Sequence, residues 1–408
     1  MSSSVTSEAA MPGPLSGIRV IELTSTVAGP FCGRLLADFG ADVIKIEPPE
    51  GDAVRSMGER KDGKSLYAAS ILRNKQLIAL DMRKPEAQAL VRDMVRKADV
   101  FIENFRPGTM EKWGLGYEAL AAENPGLVMA RISGYGQNGP YSQRPGYGVT
   151  SEAISGLREL TGDPDRPPAR INTSLTDYIT GLYTAFGIAM ALTERARSGK
   201  GQVIDAALYE AAFSFVEPHI PAFAALGSIA TRAGGRLPGH VPNNLYPTQD
   251  GRYIQIVAAS DGIFRRLLRA MQRDDVLQDP RFATPAARAA HPDEMDALVG
   301  GWTSSLPLAE LERSLGEADV PSARIFNMAD IFSDPHYQAR GMLQAAPSDA
   351  FGEAMLPGIV PKLSRTPGQV GWAGREVGSD TASVLAALLD KTPEDVAALQ
   401  AAGIVAVR

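Results

Sequence analysis

Asp177 stands at the head of a long stretch of low polarity. From Tyr178 to Leu192 no residue carries a charge, and a helix that is apolar on every face belongs inside a domain. A carboxylate at the first turn of such a helix has two uses. Ser174-Leu-Thr-Asp177 has the spacing of a capping box, with Ser174 at the N-cap and the acid at the third helical position. The same placement suits a nucleophile: the positive helix end favours the ionised acid, and apolar surroundings keep water from an acyl intermediate. Local chemistry leaves both readings open.

Other residues that could do chemistry are less suggestive. Gly134-Tyr-Gly136-Gln-Asn-Gly139 satisfies GxGxxG, but Pro140 follows at once, so no helix opens to hold a pyrophosphate and the stretch reads as a loop. His219, His240, His291 and His336 lack partners at ligand spacing, so no metal site is expected. Cys32, the single cysteine, lies on an apolar helical face and reads as packing. Neither a G-x-S-x-G elbow nor a P-loop occurs. Asn172-Thr-Ser174 fits the glycosylation sequon by chance.

The elements that must position these groups follow an α/β grammar. Gly17–Leu23, Gly40–Glu47, Leu77–Leu80, Val100–Glu103 and Leu127–Ile132 read as buried strands, with helical runs between them, among them one from Lys84 to Lys97. That alternation predicts βαβ units and a parallel sheet. The glycine- and proline-rich stretch Thr231–Asn244 breaks the pattern. Beyond it Tyr253–Val257 is a strand, helices dominate to about Asn327, and closing helices are expected over Asp380–Leu389 and Glu394–Ala402.

Composition sets the outer bounds. With 408 residues, 44% apolar and 22% charged, the chain is an ordinary globular protein with room for two domains. A net charge of -6 gives no reason to expect nucleic acid or an anionic membrane as partner. No apolar run approaches the roughly 18 residues of a membrane span. Residues 1–14 lack the features of a targeting signal and read as a loose, disordered tail. With one cysteine, a reducing cytoplasmic setting is expected.

An ordered set of motifs then becomes recognisable. It runs through Gly17-Ile-Arg-Val-Ile-Glu-Leu23, Ala28-Gly-Pro30, Gly40-Ala-Asp-Val-Ile-Lys-Ile-Glu47, Asn74-Lys75, Leu80-Asp81, Glu103-Asn-Phe-Arg-Pro-Gly108, Gly114-Leu-Gly-Tyr117 and Asn124-Pro125. It continues through Ser133–Pro140, Arg144-Pro-Gly-Tyr147, Asp177, Gly199-Lys-Gly-Gln-Val-Ile-Asp205 and Asp334–Gly341. The chain after residue 14 resembles the family III CoA-transferases, the group that includes formyl-CoA:oxalate, carnitine and succinyl-CoA:dicarboxylate transferases.

The resemblance implies an interlocked homodimer. Each subunit would have a large Rossmann-like, CoA-binding domain with a parallel sheet, over 15–227 and 328–408, and a smaller α+β domain over 228–327. It implies that Asp177 is the catalytic aspartate, working through an aspartyl anhydride and an aspartyl-CoA thioester. CoA thioesters would be substrates, with no permanently bound cofactor. The expected partners are an acyl-CoA donor, with succinyl-CoA favoured, and a small carboxylic acid such as a dicarboxylate or a sulfinate-bearing acid.

Site residues carry over one at a time. Val27 and Ala28 would line the pantetheine and thiol end through backbone, and Leu80 and Arg83 match positions near the adenine and phosphates. Asn104, Phe105 and Arg106 match the loop under the nucleotide. Lys112 replaces a phosphate-meeting arginine, keeping the charge without its bidentate geometry. Pro48 stands where the oxalate branch has a basic residue. Gly234-Gly235-Arg-Leu-Pro-Gly239-His240 matches the oxyanion and acceptor loop, although it departs from that branch's run of consecutive glycines. Arg170, Arg232 and Arg236 are candidates to meet a distal carboxylate.

Tyr147, 30 positions before Asp177, bears on the nearest alternative. The α-methylacyl-CoA racemases resemble this chain with histidine there. A tyrosine, with an ordinary pKa of about 10, is a poor base near neutral pH. Tyr147 is therefore expected to contact the acyl-CoA, beside Gly148, which replaces a common aspartate. A carnitine or bile-acid acceptor is the other alternative.

Overall fold

The computed structural model describes residues 13–408. Most of the tail expected over residues 1–14 therefore lies outside the described residues. Two compact units are present.

The first unit comprises the described residues through Leu157, together with Ile171–Pro221 and His336–Arg408. Its sheet has seven strands: β1 (Arg19–Leu23), β2 (Asp42–Glu47), β3 (Gln76–Leu80), β4 (Val100–Glu103), β5 (Val128–Ser133), β6 (Val203–Ala207) and β7 (Val405–Ala406). Their spatial order is β7-β3-β2-β1-β4-β5-β6. Every pair is parallel except β7 with β3. The order 3-2-1-4-5-6 is that of a doubly wound sheet, whose crevice opens beyond the strands' carboxyl ends where the order reverses, between β1 and β4.

The continuous apolar strands have a direct cause, since a parallel sheet is covered on both faces. Side chains alternate between the faces. Ile21, Ile44, Ile78 and Phe101 pack with residues of helix Pro85–Arg96 and the C-terminal helix Thr381–Leu389. Val20, Val43, Val100 and Val128 pack against α1 (Ala28–Asp38) and the helix that carries Asp177. The C-terminal segment is bonded into the sheet edge: Leu77 and Ala79 donate their N–H groups to Asp380 and Thr381 side chains, at 2.8 and 3.1 Å. Both ends of the chain thus build this unit. A hairpin of Leu343–Ser348 with Gly352–Pro357 belongs to it as well.

Two helices matter for the site. We label them α2 (Gly148–Ile154) and α3 (Leu175–Ser198). α3 packs closely on α1: a Cβ on Gly181 would lie 2.7 Å from the Ala28 carbonyl oxygen. The expectation that α3 is buried all round is corrected within this chain. Thr180, Thr184, Ile188 and Ala191 are buried, but Leu182, Phe186 and Met190 are at least half exposed.

The second unit comprises Arg158–Arg170 and Ala222–Pro335. Three antiparallel strands, Asn243–Pro247, Tyr253–Val257 and Ser322–Arg324, pack with helices that include Asp261–Ala270, Pro292–Thr303 and Leu308–Glu317. Ile254, Ile256, Phe264, Val299 and Leu311 form its core. Residues 158–170 join it through a Gly234 N–H to Gly162 carbonyl bond of 3.0 Å and an Arg232–Glu159 ion pair of 2.7 Å. Among the described residues, no helix is long and apolar enough to cross a membrane.

Candidate active site

The turn from β1 into α1 begins the site. Thr24-Ser25-Thr26 leaves the carboxyl end of β1, and Thr26 takes a left-handed conformation, φ 74°. That conformation costs energy for a residue with a branched side chain, so its surroundings must hold it. Asn104, just past β4, clamps Ser25 from the side: its amide accepts from Ser25 N–H at 2.9 Å and donates to Ser25 carbonyl at 2.8 Å. Asp52 accepts from Thr26 N–H at 3.0 Å.

Beneath the turn lies a buried ionic network. Lys45 pairs with Asp52 at 2.8 Å and Glu22 at 3.3 Å, and donates to the Thr24 carbonyl at 2.8 Å. Lys75 pairs with Glu22 at 2.7 Å and donates to the Pro30 carbonyl at 2.7 Å. Burial alone would neutralise Lys45, but the carboxylates of Asp52, Glu22 and Glu47 outweigh it and hold the ammonium charged. Burial likewise disfavours the Asp52 anion, yet Lys45 and two backbone N–H groups bring its carboxyl below the usual range.

The β4 end is fixed in a similar way. Glu103 accepts from Arg131 Nε at 2.8 Å and from the Phe105 N–H at 2.8 Å. Burial raises its carboxyl to about 7 even against those donors. Phe105 packs edge-on against Trp113.

Asp177 lies in the first turn of α3, with Ser174 at the N-cap. The Ser174 side chain makes no capping hydrogen bond, which corrects its half of the expected capping box. The Asp177 carboxylate rests against the first residue of α2. A Cβ built on Gly148 would stand 2.0 Å from Oδ2, inside any allowed contact. Next to the acid, Tyr178 hydrogen-bonds Tyr67 hydroxyl to hydroxyl at 2.8 Å and meets Phe31 edge to face. Burial pushes the Tyr67 phenol up, with Tyr178 and the Asp177 charge adding to it, so it stays protonated.

These segments enclose a cleft of about 320 Å³ within the first unit. Ala28, Asn104, Phe105, Arg106, Tyr147 and Asp177 line it together. The side chains of four other expected site residues lie elsewhere. Val27 packs into a small core with Val54, Ile71 and Leu72. Leu80 is wholly buried in the main core, and Arg83 is an exposed side chain paired with Asp81 at 2.7 Å. Lys112 is exposed on the short helix Thr109–Lys112. None of these four side chains is part of the cleft wall. Asn104 lines it, but its amide is engaged by Ser25.

Gly234, Gly235, Gly239 and His240 belong to the second unit. Gly234 and Gly239 have positive φ, 64° and 79°, and the His240 N–H donates to the Leu237 carbonyl at 3.2 Å. The arginines considered for a distal carboxylate are largely taken: Arg232 pairs with Glu159, and Arg236 with Asp293 and Asp296 at 2.9 and 2.6 Å. Sequence reasoning missed Ser25, Thr26, Ser133 and Arg144 as cleft residues. For Ser25 and Thr26 a signal existed, a polar run directly after a buried strand and before a helix.

Cys32 is fully buried on α1 against the sheet, and burial pushes its thiol up, so packing is its role. Among the described residues, no group of three or more His, Cys, Asp or Glu is placed to hold a metal ion.

Residues 15–381 match the description of CoA-transferase family III. The chain belongs to that family. Relatives of this CoA-transferase include the succinyl-CoA–D-citramalate CoA-transferase of Chloroflexus aurantiacus, 45% identical over 396 residues, which cover 97% of this chain and 98% of that protein. The beta subunit of succinyl-CoA–L-malate CoA-transferase from the same organism is 40% identical, over 94% of this chain and 96% of its own. A solved CAIB/BAIF family protein from Brucella suis has a TM-score of 0.83 at 36% identity, covering 93% of this chain and 100% of that chain. The transferase thus shares the doubly wound architecture of a protein with known coordinates.

Proposed function

We propose that this transferase moves CoA from succinyl-CoA to a four- or five-carbon dicarboxylate, with malate and citramalate the first acids to try. The observation that carries the reading is the position of Asp177, a half-buried carboxylate set in the wall of a cleft at the carboxyl edge of the sheet. The relatives named above supply the donor and acceptor class.

In this reading the Asp177 carboxylate attacks the thioester carbonyl and expels CoA thiolate, leaving an aspartyl–succinyl anhydride. The thiolate attacks the aspartyl carbonyl and releases succinate, leaving an aspartyl-CoA thioester. The acceptor carboxylate attacks that thioester, and the thiolate, freed again, attacks the acceptor's carbonyl in the new anhydride. Acceptor acyl-CoA leaves and Asp177 regains its charge. Each step exchanges a carboxylate and a thiolate, so no external energy source is needed and the difficult transfer is divided into easier ones.

Tyr147 supports transfer over racemisation, since it places no imidazole beside the acid. The half-exposed Leu182, Phe186 and Met190 on α3 support a homodimer that covers them. A single buried cysteine suits a reducing cytoplasm.

The test is mass analysis of CoA esters after incubating succinyl-CoA with each acid. Wild type should form the acceptor acyl-CoA, Asp177→Ala should not, and hydroxylamine should modify Asp177 only when acyl-CoA is present. Undiminished exchange in Asp177→Ala would remove the acid from the mechanism.

A further inference from the structure

We propose that Arg144 is the specificity-determining residue that recognises the distal carboxylate of the dicarboxylic acid, an assignment that rests on the reaction class given above. Two arginines line the cleft, Arg106 and Arg144. Among the described residues, neither has a carboxylate in ion-pair range. The contrast with nearby arginines is sharp: Arg131, on β5, is engaged by Glu103 and Glu111, both at 2.8 Å. A cation left unpaired on a cleft wall is available to an anionic ligand.

Arg144 is the one of the two whose guanidinium is seated on an aromatic ring. It belongs to the segment that joins β5 to α2, four residues before Gly148, which touches the Asp177 carboxylate. Its guanidinium lies 3.7 Å from the centroid of the Tyr141 ring, and its backbone N–H donates to the Tyr141 carbonyl at 2.8 Å. Tyr141 is itself braced edge-on by Tyr135, which lies beside Tyr209. A guanidinium held over a ring by cation–π attraction still has N–H groups for the fork that matches a carboxylate. Stacking also restricts the side chain before the ligand arrives, so less freedom is lost on binding.

This assignment replaces Arg232 and Arg236, whose charges are already balanced by Glu159, Asp293 and Asp296. It also separates two jobs in one cleft. Asp177 carries the carboxyl that reacts, and Arg144 holds the one that does not. A monocarboxylic acid would use the first and leave the second idle.

The experiment compares wild type, Arg144→Lys and Arg144→Gln with succinyl-CoA as donor. The acceptors are malate or citramalate and, as the matched monoacid, butyrate. In Arg144→Gln the KM for the diacid should rise roughly 10- to 100-fold, the range of a lost charged hydrogen bond. In a double-displacement exchange the acceptor's kcat/KM reports only the half-reaction from aspartyl-CoA, so its ratio for diacid over butyrate should fall by a similar factor. Arg144→Lys should fall between, having charge without the fork. An unchanged ratio of diacid to butyrate kcat/KM overturns the assignment while leaving the Asp177 reaction intact. A wild type with no preference for diacid over butyrate overturns both the assignment and the acceptor class. Thermal melts identify a variant that has lost its fold, and Arg144→Lys then carries the comparison.

Discussion

Gly148 and Asp177 form one steric unit: a Cβ on the glycine would meet the carboxylate oxygen at 2.0 Å. The glycine φ is not among the positive ones, so the backbone there accepts any residue. Space is the constraint. Gly148→Ala must therefore displace the Asp177 carboxylate, because the added carbon sits on a rigid first turn. Misplacement of a reacting group by about 1 Å costs on the order of 100-fold in rate. We expect Gly148→Ala to lose at least that in kcat while still unfolding in one cooperative melt, the clash being met by the side chain of Asp177 rather than by backbone. Steady-state exchange and a melt on the same sample check both halves; full activity would show that the acid works in another position.

Asn104 is expected to act through the Ser25 turn. Its amide closes a two-bond clamp on one residue of a turn whose next residue is held at a strained φ. Each bond contributes about 0.5–1.5 kcal/mol. Asn104→Ala should lower stability by about 1–3 kcal/mol and raise the KM for acyl-CoA, while Asn104→Asp should recover only the acceptor half. Denaturant titration and donor KM measured together decide it. A large KM change with unaltered stability would favour direct ligand contact by the amide instead.

Much of the sheet could be read in advance because buried parallel strands write themselves as apolar runs, as in Val100–Glu103. β6 could not, for the opposite reason. Val203–Ala207 lies at the sheet edge and is only partly covered, so its pattern blends into the apolar segment that follows. β7, two residues long, carries no signal of its own. At the site, Asp177 was visible as an acid at a helix start, although only the ordered family motifs separated reagent from cap. Leu80 is wholly buried, so position matching does not say whether such a residue would meet a ligand by side chain or by backbone. Arg144 was invisible because its availability is a tertiary fact: which arginines find carboxylates depends on segments far apart in the chain.

Lys45 tests the ionic network under the turn. It is fully buried and neutralises Asp52 and Glu22 together. Removing one partner of a buried pair leaves the other charge uncompensated, at about 3–5 kcal/mol. Lys45→Met should destabilise by that amount, and adding Asp52→Asn should restore part of the loss rather than deepen it. A double-mutant cycle in urea reads the coupling. Simple additivity of the two changes would mean that Asp52 is held by its backbone donors alone.

Glu103 predicts a pH dependence of stability with an unusual direction for an acid. Its folded carboxyl titrates at about 7, raised by burial, against an ordinary value of 4.5. Between those values the folded state binds the proton that the unfolded state has released, so stability falls as pH rises from about 4.5 to 7 and is level above. At about 1.4 kcal/mol per unit the span is roughly 3 kcal/mol. Glu103→Gln removes the titration and keeps one acceptor oxygen, enough for either the Phe105 N–H or Arg131 but not both. The stability of this variant relative to wild type should therefore improve by a few kcal/mol from pH 5 to pH 8, whatever its absolute value, because all other titrating groups cancel in the difference. Urea midpoints at four pH values across that range are sufficient. A flat difference would place the Glu103 proton off the folded protein throughout, with Arg131 keeping the carboxylate ionised against burial.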